Sequence, residues 1–394
     1  MADAEQNLRE ILDKILDEEK YCPREIKIQA ITSGGANYTS AIFLVKVTSP
    51  NRDDLNLFAK VAMVSEVMRT RLNIEWLYDT EKFVYTKLVK VYKDIEEKLN
   101  VPQEYRYVFP KCYGCNAEHG KEIVVMENLI EDGYKSYNRF KSMDWEHASK
   151  GVENLAKFHA LSFAFAKYQP EEFQQVAEDI RYKIAQKQSE EPNGIMAGIW
   201  DKMVNNAVSV IKEDQRDAVK KFFDSNIQLH EYNRALGKPV IAHGDYRMSN
   251  LLFKKQDKEF NAIAVDYQTV HAGNPITDLF YFIFLGSDEE FRKQHYEELL
   301  DHYYKSLVQA LERLSVDPVE VYPRNKFDSD LKEILPYGLL LGAALLPIVT
   351  VEAESAPKLD GTTDVHDFLI KSNDLYASRF SGIVNDYIAW GVIQ

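Results

Sequence analysis

Asp245, Asn250 and Asp266 are spaced so that few folds can bring them together. Residues 243–253 read His-Gly-Asp-Tyr-Arg-Met-Ser-Asn-Leu-Leu-Phe, and thirteen residues after Phe253 comes Asp266, in Ala-Val-Asp-Tyr-Gln. Short apolar runs at 250–253 and 261–265 flank a polar turn at 254–259, so a β-hairpin is expected to return Asp266 to the side of Asn250. Asp245 lies in a loop just after Val240-Ile241-Ala242, and Asn250 starts the first strand, which points both polar side chains to one mouth. Either aspartate alone reads best as a turn or cap residue. Jointly, with His243 two residues before Asp245, they have the layout of a phosphoryl-transfer site. Asp245 would orient and deprotonate an attacking hydroxyl, while Asn250 and Asp266 would hold the Mg²⁺ that neutralises a triphosphate.

Composition bounds the partners. A chain of 394 residues, 45% of them hydrophobic, exceeds what one core usually organises, so two or three domains are expected. A formal charge of −14 argues against nucleic acid or an anionic membrane surface as the main partner, since both demand a basic footprint. Three cysteines make no disulfide framework and fit a reducing compartment, and the first ten residues lack the basic-then-apolar layout of a signal peptide, so a cytoplasmic location is expected. The most apolar stretch, 334–351, contains Pro336 and Pro347 and reads as a buried helix rather than a membrane span. Cys112-Tyr113-Gly114-Cys115 has CxxC spacing, but Cys22 is the one further thiol, so neither zinc nor redox chemistry is assigned to it.

The texture of the chain changes near residues 128–132, with β character returning only in the 250–265 hairpin. Before the change, an amphipathic helix at 8–19 is followed by strands at 25–31, 40–48 and 55–62, a long helix at 71–97, and strands at 105–113 and 122–127. The three consecutive strands suggest an antiparallel meander, and the first helix reads as packing onto the body of the protein. After the change, helical patterns cover 145–167, 170–188, 194–211 and 214–236, and everything from Asp278 onward apart from turns. Two domains follow: residues 1–130 and 131–394.

Lys60 sits within Leu57-Phe58-Ala59-Lys60-Val61-Ala62, and a lysine in an apolar strand is costly unless it is paired or faces a ligand. Its partner should come from the following helix, where Glu81 lies on the apolar stripe with Leu77, Tyr85 and Leu88, whereas Glu75 lies on a polar face. The turn containing Gly34, Gly35 and Asn37 reads equally as a phosphate-cradling loop or a plain hairpin turn. Met126, Glu127 and Leu129 fall at the domain boundary, where a hinge would present its backbone to an adenine edge and a simple linker would look the same. Asp278 reads as pinning the backbone of the catalytic loop or, equally, as capping a helix. His159 is expected to be a satisfied core histidine, and Arg247 reads as a solvated side chain or, alternatively, as one that alters the acceptor pocket.

Taken in order, these features resemble a protein-kinase-like fold: α+β and bilobal, an N-terminal antiparallel sheet with one long helix, then a mostly helical lobe. The finer text is similar to the ecdysteroid kinase-like (CHK kinase-like) family. Four stretches carry the likeness: Gly35-Ala36-Asn37-Tyr38-Thr39-Ser40, Leu155-Ala156-Lys157-Phe158-His159-Ala160-Leu161-Ser162, the 243–253 motif, and Val265-Asp266-Tyr267-Gln268 through Asp278-Leu279. One departure stands out, since the family often has an aromatic where this chain has Arg247. The resemblance implies aminoglycoside-phosphotransferase-like architecture with ATP and Mg²⁺ between the lobes, and an ecdysteroid or another steroid-like or xenobiotic alcohol as acceptor. Only eleven residues separate Asp266 from Asp278, too few for the peptide platform of a protein kinase, so a small-molecule hydroxyl is the expected acceptor. A nonenzymatic ATP- or ligand-binding pseudokinase is the alternative.

Overall fold

The structure is a computed structural model that describes residues 2–31, 39–50, 52–180, 195–225, 229–257, 259–352 and 372–394. Strand alternation organises its first part. Helix α1 (Ala2–Glu18) buries Leu8, Leu12, Ile15 and Leu16 on one stripe. Strands β1 (Glu25–Ile31), β2 (Ser40–Ser49) and β3 (Arg52–Ala62) form the expected antiparallel meander. With β4 (Cys112–Asn116) and β5 (Ile123–Glu127) they make one sheet in the order β1-β2-β3-β5-β4. Leu57, Ala59 and Val61 of β3 and Ile123 and Val125 of β5 pack with α1, so the first helix belongs to the body of the protein. Phe58, Val124 and Met126 face the opposite side, into the main core, and alternation puts Lys60 there with them.

One helix and one strand of the first part differ from expectation. The helix expected over 71–97 is broken at Asn73, whose φ of 51° is left-handed; asparagine tolerates that conformation at modest cost. Before the break lies α2 (Glu66–Leu72), with Ser65 as its cap. After it, α3 (Ile74–Phe83) runs through a π-helical turn at Val84–Leu88 into α4 (Val89–Lys98). The strand expected over 105–113 is also displaced, because ladder pairing begins only at Cys112. Upstream, the Tyr107 N–H donates instead to the Glu96 carboxylate at 2.8 Å, and Pro110 has no N–H to offer a ladder. That detour sends Tyr107 and Phe109 into an aromatic cluster with Tyr92, Phe158 and Tyr267, joining the first part of the chain to the second.

Burial pushes the Glu96 carboxyl up to about 7 from an ordinary 4.5, against the opposing bond from Tyr107 N–H. The folded chain therefore binds this proton more tightly than the unfolded chain, and the stability so gained declines as pH rises from 4.5 through about 7. Glu96→Gln is expected to remove that slope and to be more stable than the parent at pH 8, by up to about 3 kcal/mol. Urea melts of both proteins at pH 5 and 8 measure this, and parallel pH dependence would refute it.

The second part is helical around a small hairpin. Helix α5 (Trp145–Tyr168) is its axis, buried along most of its length. Further helices occupy Pro170–Asp179, Ile195–Ser209, Arg216–Ser225, Pro275–Gly286, Glu289–Arg313, Arg324–Thr350 and Asp374–Ala389. The helix expected over 214–236 is shorter, with a 3₁₀ turn at Leu229–Asn233 replacing its end. The helix Arg324–Thr350 carries Pro336 and Pro347 internally, and two-thirds of its most apolar window is buried, as a core helix requires. Gly338 lets it approach its neighbours closely, since a Cβ there would fall 2.3 Å from Phe284 and 2.5 Å from the Tyr387 hydroxyl.

The hairpin consists of β8 (Leu251–Gln256) and β9 (Glu259–Ala264), with β6 (Lys135–Ser136) beside β8; β7 (Val240–Ala242) pairs separately with β10 (His271–Gly273). Strand pairing reaches Gln256 and Glu259, so the two strands extend into the 254–259 stretch expected to be a turn.

Candidate active site

Lys60 is brought to the interior by β3 and is 6% exposed. Its Nζ lies 2.7 Å from Glu81 Oε1 on α3 and 2.8 Å from Asp266 Oδ1. Glu81, rather than Glu75, is thus the partner; Glu75 faces outward to His119 at 2.7 Å. Burial opposes the lysine's charge, but Asp266 and Glu81 outweigh it and raise its pKa, so Lys60 stays protonated. Burial likewise favours neutral Asp266, yet the pull of Lys60 lowers its pKa and keeps it ionised.

Asp266 lies just beyond β9 at φ 71°, a left-handed conformation rare outside glycine. The hairpin holds it there, since Val265 N–H donates to Asn250 O at 2.9 Å. Asn250 itself closes a 3₁₀ turn, Met248–Asn250, one residue before β8, instead of starting the strand. The turn frees its side chain from the pleat, so its Nδ2 donates to both the backbone O and Oδ2 of Asp245, each at 2.9 Å.

Asp245 is 8% exposed, and burial pushes its carboxyl up to about 6, with Arg247 pulling the other way. Arg247 is not solvated: its Nε lies 3.1 Å from Asp245 Oδ1, and its side chain is 16% exposed. Desolvation explains the difference, because a buried carboxylate draws in the one cation its own loop supplies. Tyr281 pulls the Asp245 pKa down as well. Neither Arg247 nor Tyr281 was assigned to the site from sequence; the position of Arg247, two residues from Asp245 in one loop, was the available signal, whereas Tyr281 lies inside an apolar helix and offered none.

The loop is anchored from beneath. Asp278 accepts from His243 N–H at 2.6 Å through Oδ2 and from Gly244 N–H at 2.8 Å through Oδ1. Asn274, not Asp278, caps the helix Pro275–Gly286, so pinning is what Asp278 does. His159 Nε2 is 3.1 Å from Asp278 Oδ2, and its Nδ1 is 2.7 Å from the Tyr303 hydroxyl, making it a fully satisfied core histidine. Gly244 is required by its φ of +81° and by contact: a Cβ would sit 2.3 Å from Thr269 O. The Tyr246 hydroxyl donates to Gly151 O at 2.7 Å, tying the loop to α5.

Met126 is buried at the end of β5, with the Tyr85 hydroxyl 3.9 Å from its sulfur. Glu127 and Asn128 have committed their N–H groups, to Lys111 O and Asn56 O, and the Glu127 carboxylate accepts from Lys111 N–H at 2.7 Å. The Glu127 side chain therefore belongs to the sheet edge. Leu129 is buried. Gly34, Gly35 and Asn37 lie outside the described residues. Cys112 and Cys115 are free thiols 3.2 Å apart, and among the described residues no group of three or more His, Cys, Asp or Glu side chains is placed to hold a metal.

The donor set fits Mg²⁺ with a nucleotide. Three carboxylates, Glu81, Asp245 and Asp266, stand against two cations, Lys60 and Arg247, an excess of acidic groups that suits a bound cation. Asn250 has its amide nitrogen committed to Asp245, so its carbonyl oxygen is the atom that would serve a hard cation together with the Asp266 carboxylate.

A sheet-bearing lobe with a buried lysine–glutamate pair, joined to a helical lobe whose pinned loop and hairpin present Asp245, Asn250 and Asp266, defines a kinase-like protein. The chain belongs to the ecdysteroid kinase-like family, which matches residues 34–316. No curated protein matches it. Among solved structures, that of the microcompartment-associated aminopropanol kinase aligns with 98% of this chain and 99% of its own at 10% identity, with a TM-score of 0.41.

Proposed function

We propose that the protein is an ATP-dependent phosphotransferase that phosphorylates an alcohol group of a small molecule, in the cytoplasm, with residues 1–130 and 131–394 as its two lobes. The observation that carries this reading is the convergence of Lys60, Glu81 and Asp266 from three separate elements, beside Asp245 and Asn250. Family membership supports the same class. Bound Mg-ATP supplies the electrophilic phosphoryl group and the metal charge that neutralises it. Lys60, held by Glu81, would bind the α and β phosphates, Asn250 and Asp266 would hold the metal, and Met126, Glu127 and Leu129 would serve the adenine end; Gly34, Gly35 and Asn37 are the residues assigned to the phosphates from sequence. Asp245 orients the acceptor hydroxyl and takes its proton. The acceptor oxygen forms the new bond to phosphorus as the bond to the β–γ bridging oxygen breaks, and that electron pair leaves with ADP. Catalysis on this account is positioning plus charge neutralisation.

The short run from Asp266 to Asp278 supports a small acceptor over a peptide, and family membership favours ecdysteroids or other steroid-like and xenobiotic alcohols. Incubation with Mg-ATP and a panel of hydroxylated steroids and plant-derived alcohols should yield products heavier by one phosphoryl group, and Asp266→Ala should abolish Mg-ATP binding. Thermal stabilisation by Mg-ATP with no alcohol phosphorylated would point instead to a nonenzymatic binder, and Asp266→Ala with unchanged Mg-ATP affinity would remove the metal assignment.

A further inference from the structure

We infer that Cys112 and Cys115 form a reversible redox site, closing to an intramolecular disulfide when a hydroperoxide reaches them and reopening with a small thiol. Their spacing alone supports no such assignment, because residues three apart on a regular strand point to opposite faces of the sheet. The register of β4 changes that. Cys112 pairs with Met126, Gly114 with Val125 and Cys115 with Val124, so one extra residue, Tyr113, is accommodated opposite β5. Both residues between the thiols then turn to the α1 side: Tyr113 packs with that cluster, and a Cβ on Gly114 would fall 2.7 Å from Ile15 Cδ1. Cys112 and Cys115 turn together to the other side, against the main core, with their Sγ atoms 3.2 Å apart. Both are free thiols and half-buried, and β4 is an edge strand, so a small oxidant can reach them.

From that separation the two sulfurs reach bonding distance by a movement of roughly 1 Å. The hydrogen bond with Cys112, together with burial, pushes the Cys115 thiol up, so Cys115 keeps its proton and Cys112 is the attacking sulfur. The Cys112 thiolate attacks one oxygen of the hydroperoxide. The O–O bond breaks, and the departing oxygen takes the proton that Cys112 gave up, leaving as an alcohol, or as water from hydrogen peroxide. The Cys115 sulfur then attacks the sulfenic sulfur; the S–O bond breaks, and hydroxide leaves with the Cys115 proton as water. Two thiols are thereby oxidised by two electrons and one peroxide is reduced. A small thiol reverses the step by exchange and is itself oxidised to its disulfide, which suits a site that cycles in a reducing compartment.

Counting thiols in the full chain tests this. The protein is treated with equimolar hydrogen peroxide, unfolded, alkylated with N-ethylmaleimide and weighed intact by mass spectrometry. Untreated protein should carry three maleimides, one for each cysteine. Oxidised protein should lose two of the three and keep the one on Cys22, with the chain itself lighter by two hydrogen atoms; dithiothreitol should restore all three. Peptide mapping should find the link between Cys112 and Cys115. Three alkylatable thiols after peroxide overturn the inference, as does a link through Cys22 or irreversible addition of oxygen at either sulfur. Cys115→Ser, exposed to peroxide with dimedone present, should gain one adduct on Cys112, and its absence overturns the order of attack. Should Cys115→Ser not fold, the thiol count on the parent still decides whether the site exists.

Discussion

Asp245→Asn is expected to fold as the parent does and to lose turnover by about a thousandfold, within the range that removing a positioned general base costs. The amide keeps the size of the carboxylate and an oxygen that can accept the bond from Asn250 Nδ2, now 2.9 Å from Oδ2. What it cannot do is accept the hydroxyl proton. Because Asp245 is a buried acid already biased toward its neutral form, its loss as a charge should destabilise the fold little or even help it. Steady-state phosphorylation of any accepted alcohol, alongside a thermal melt, separates the two effects. Turnover within a few-fold of the parent would remove Asp245 from the role of base.

Asp278→Ala should give the largest stability loss, about 3–5 kcal/mol, the range seen when one partner of a buried charged network is removed. Two buried N–H groups, of His243 and Gly244, would lose their acceptor, and His159 would lose its carboxylate. Asp278→Asn should cost less, because one carbonyl oxygen remains to accept. Burial alone would raise the Asp278 pKa, but the bond from His159 and the backbone donors lower it overall. A depressed carboxyl contributes stability that is present above its unfolded pKa and is lost as pH falls through its folded one. Acid unfolding of the parent should therefore extend below the ordinary carboxylate range, and Asp278→Ala should flatten that limb. Denaturant melts from pH 3 to 7 read both effects; a loss under about 1 kcal/mol would mean that the loop is held by something else.

Most of the fold was legible from local pattern. Apolar runs marked β3 and β5 as strands, and helical spacing placed Glu81 on the inner stripe of α3, which is where it meets Lys60. The errors fell where a single side chain overrides periodicity. Asn73 enters the left-handed region and ends a helix that the apolar pattern would have continued. Glu96 captures Tyr107 N–H from 11 residues away and delays the start of β4. Neither event changes hydrophobic spacing, so neither leaves a mark in it.

For the site, the sequence by itself determined the inventory: Asp245, Asn250 and Asp266 in their order, an embedded lysine, and an acidic partner for it. Those assignments depend on local spacing and on the cost of burying charge, both of which are properties of short segments. Only the tertiary structure decided how the charges are shared. Lys60 divides its contacts between Glu81 and Asp266, the latter 206 residues away, and Arg247 turns inward onto Asp245 instead of outward to water. The reason is physical: the sign and strength of an electrostatic interaction depend on distance and on exclusion of water, and neither exists until the two lobes close around the loop.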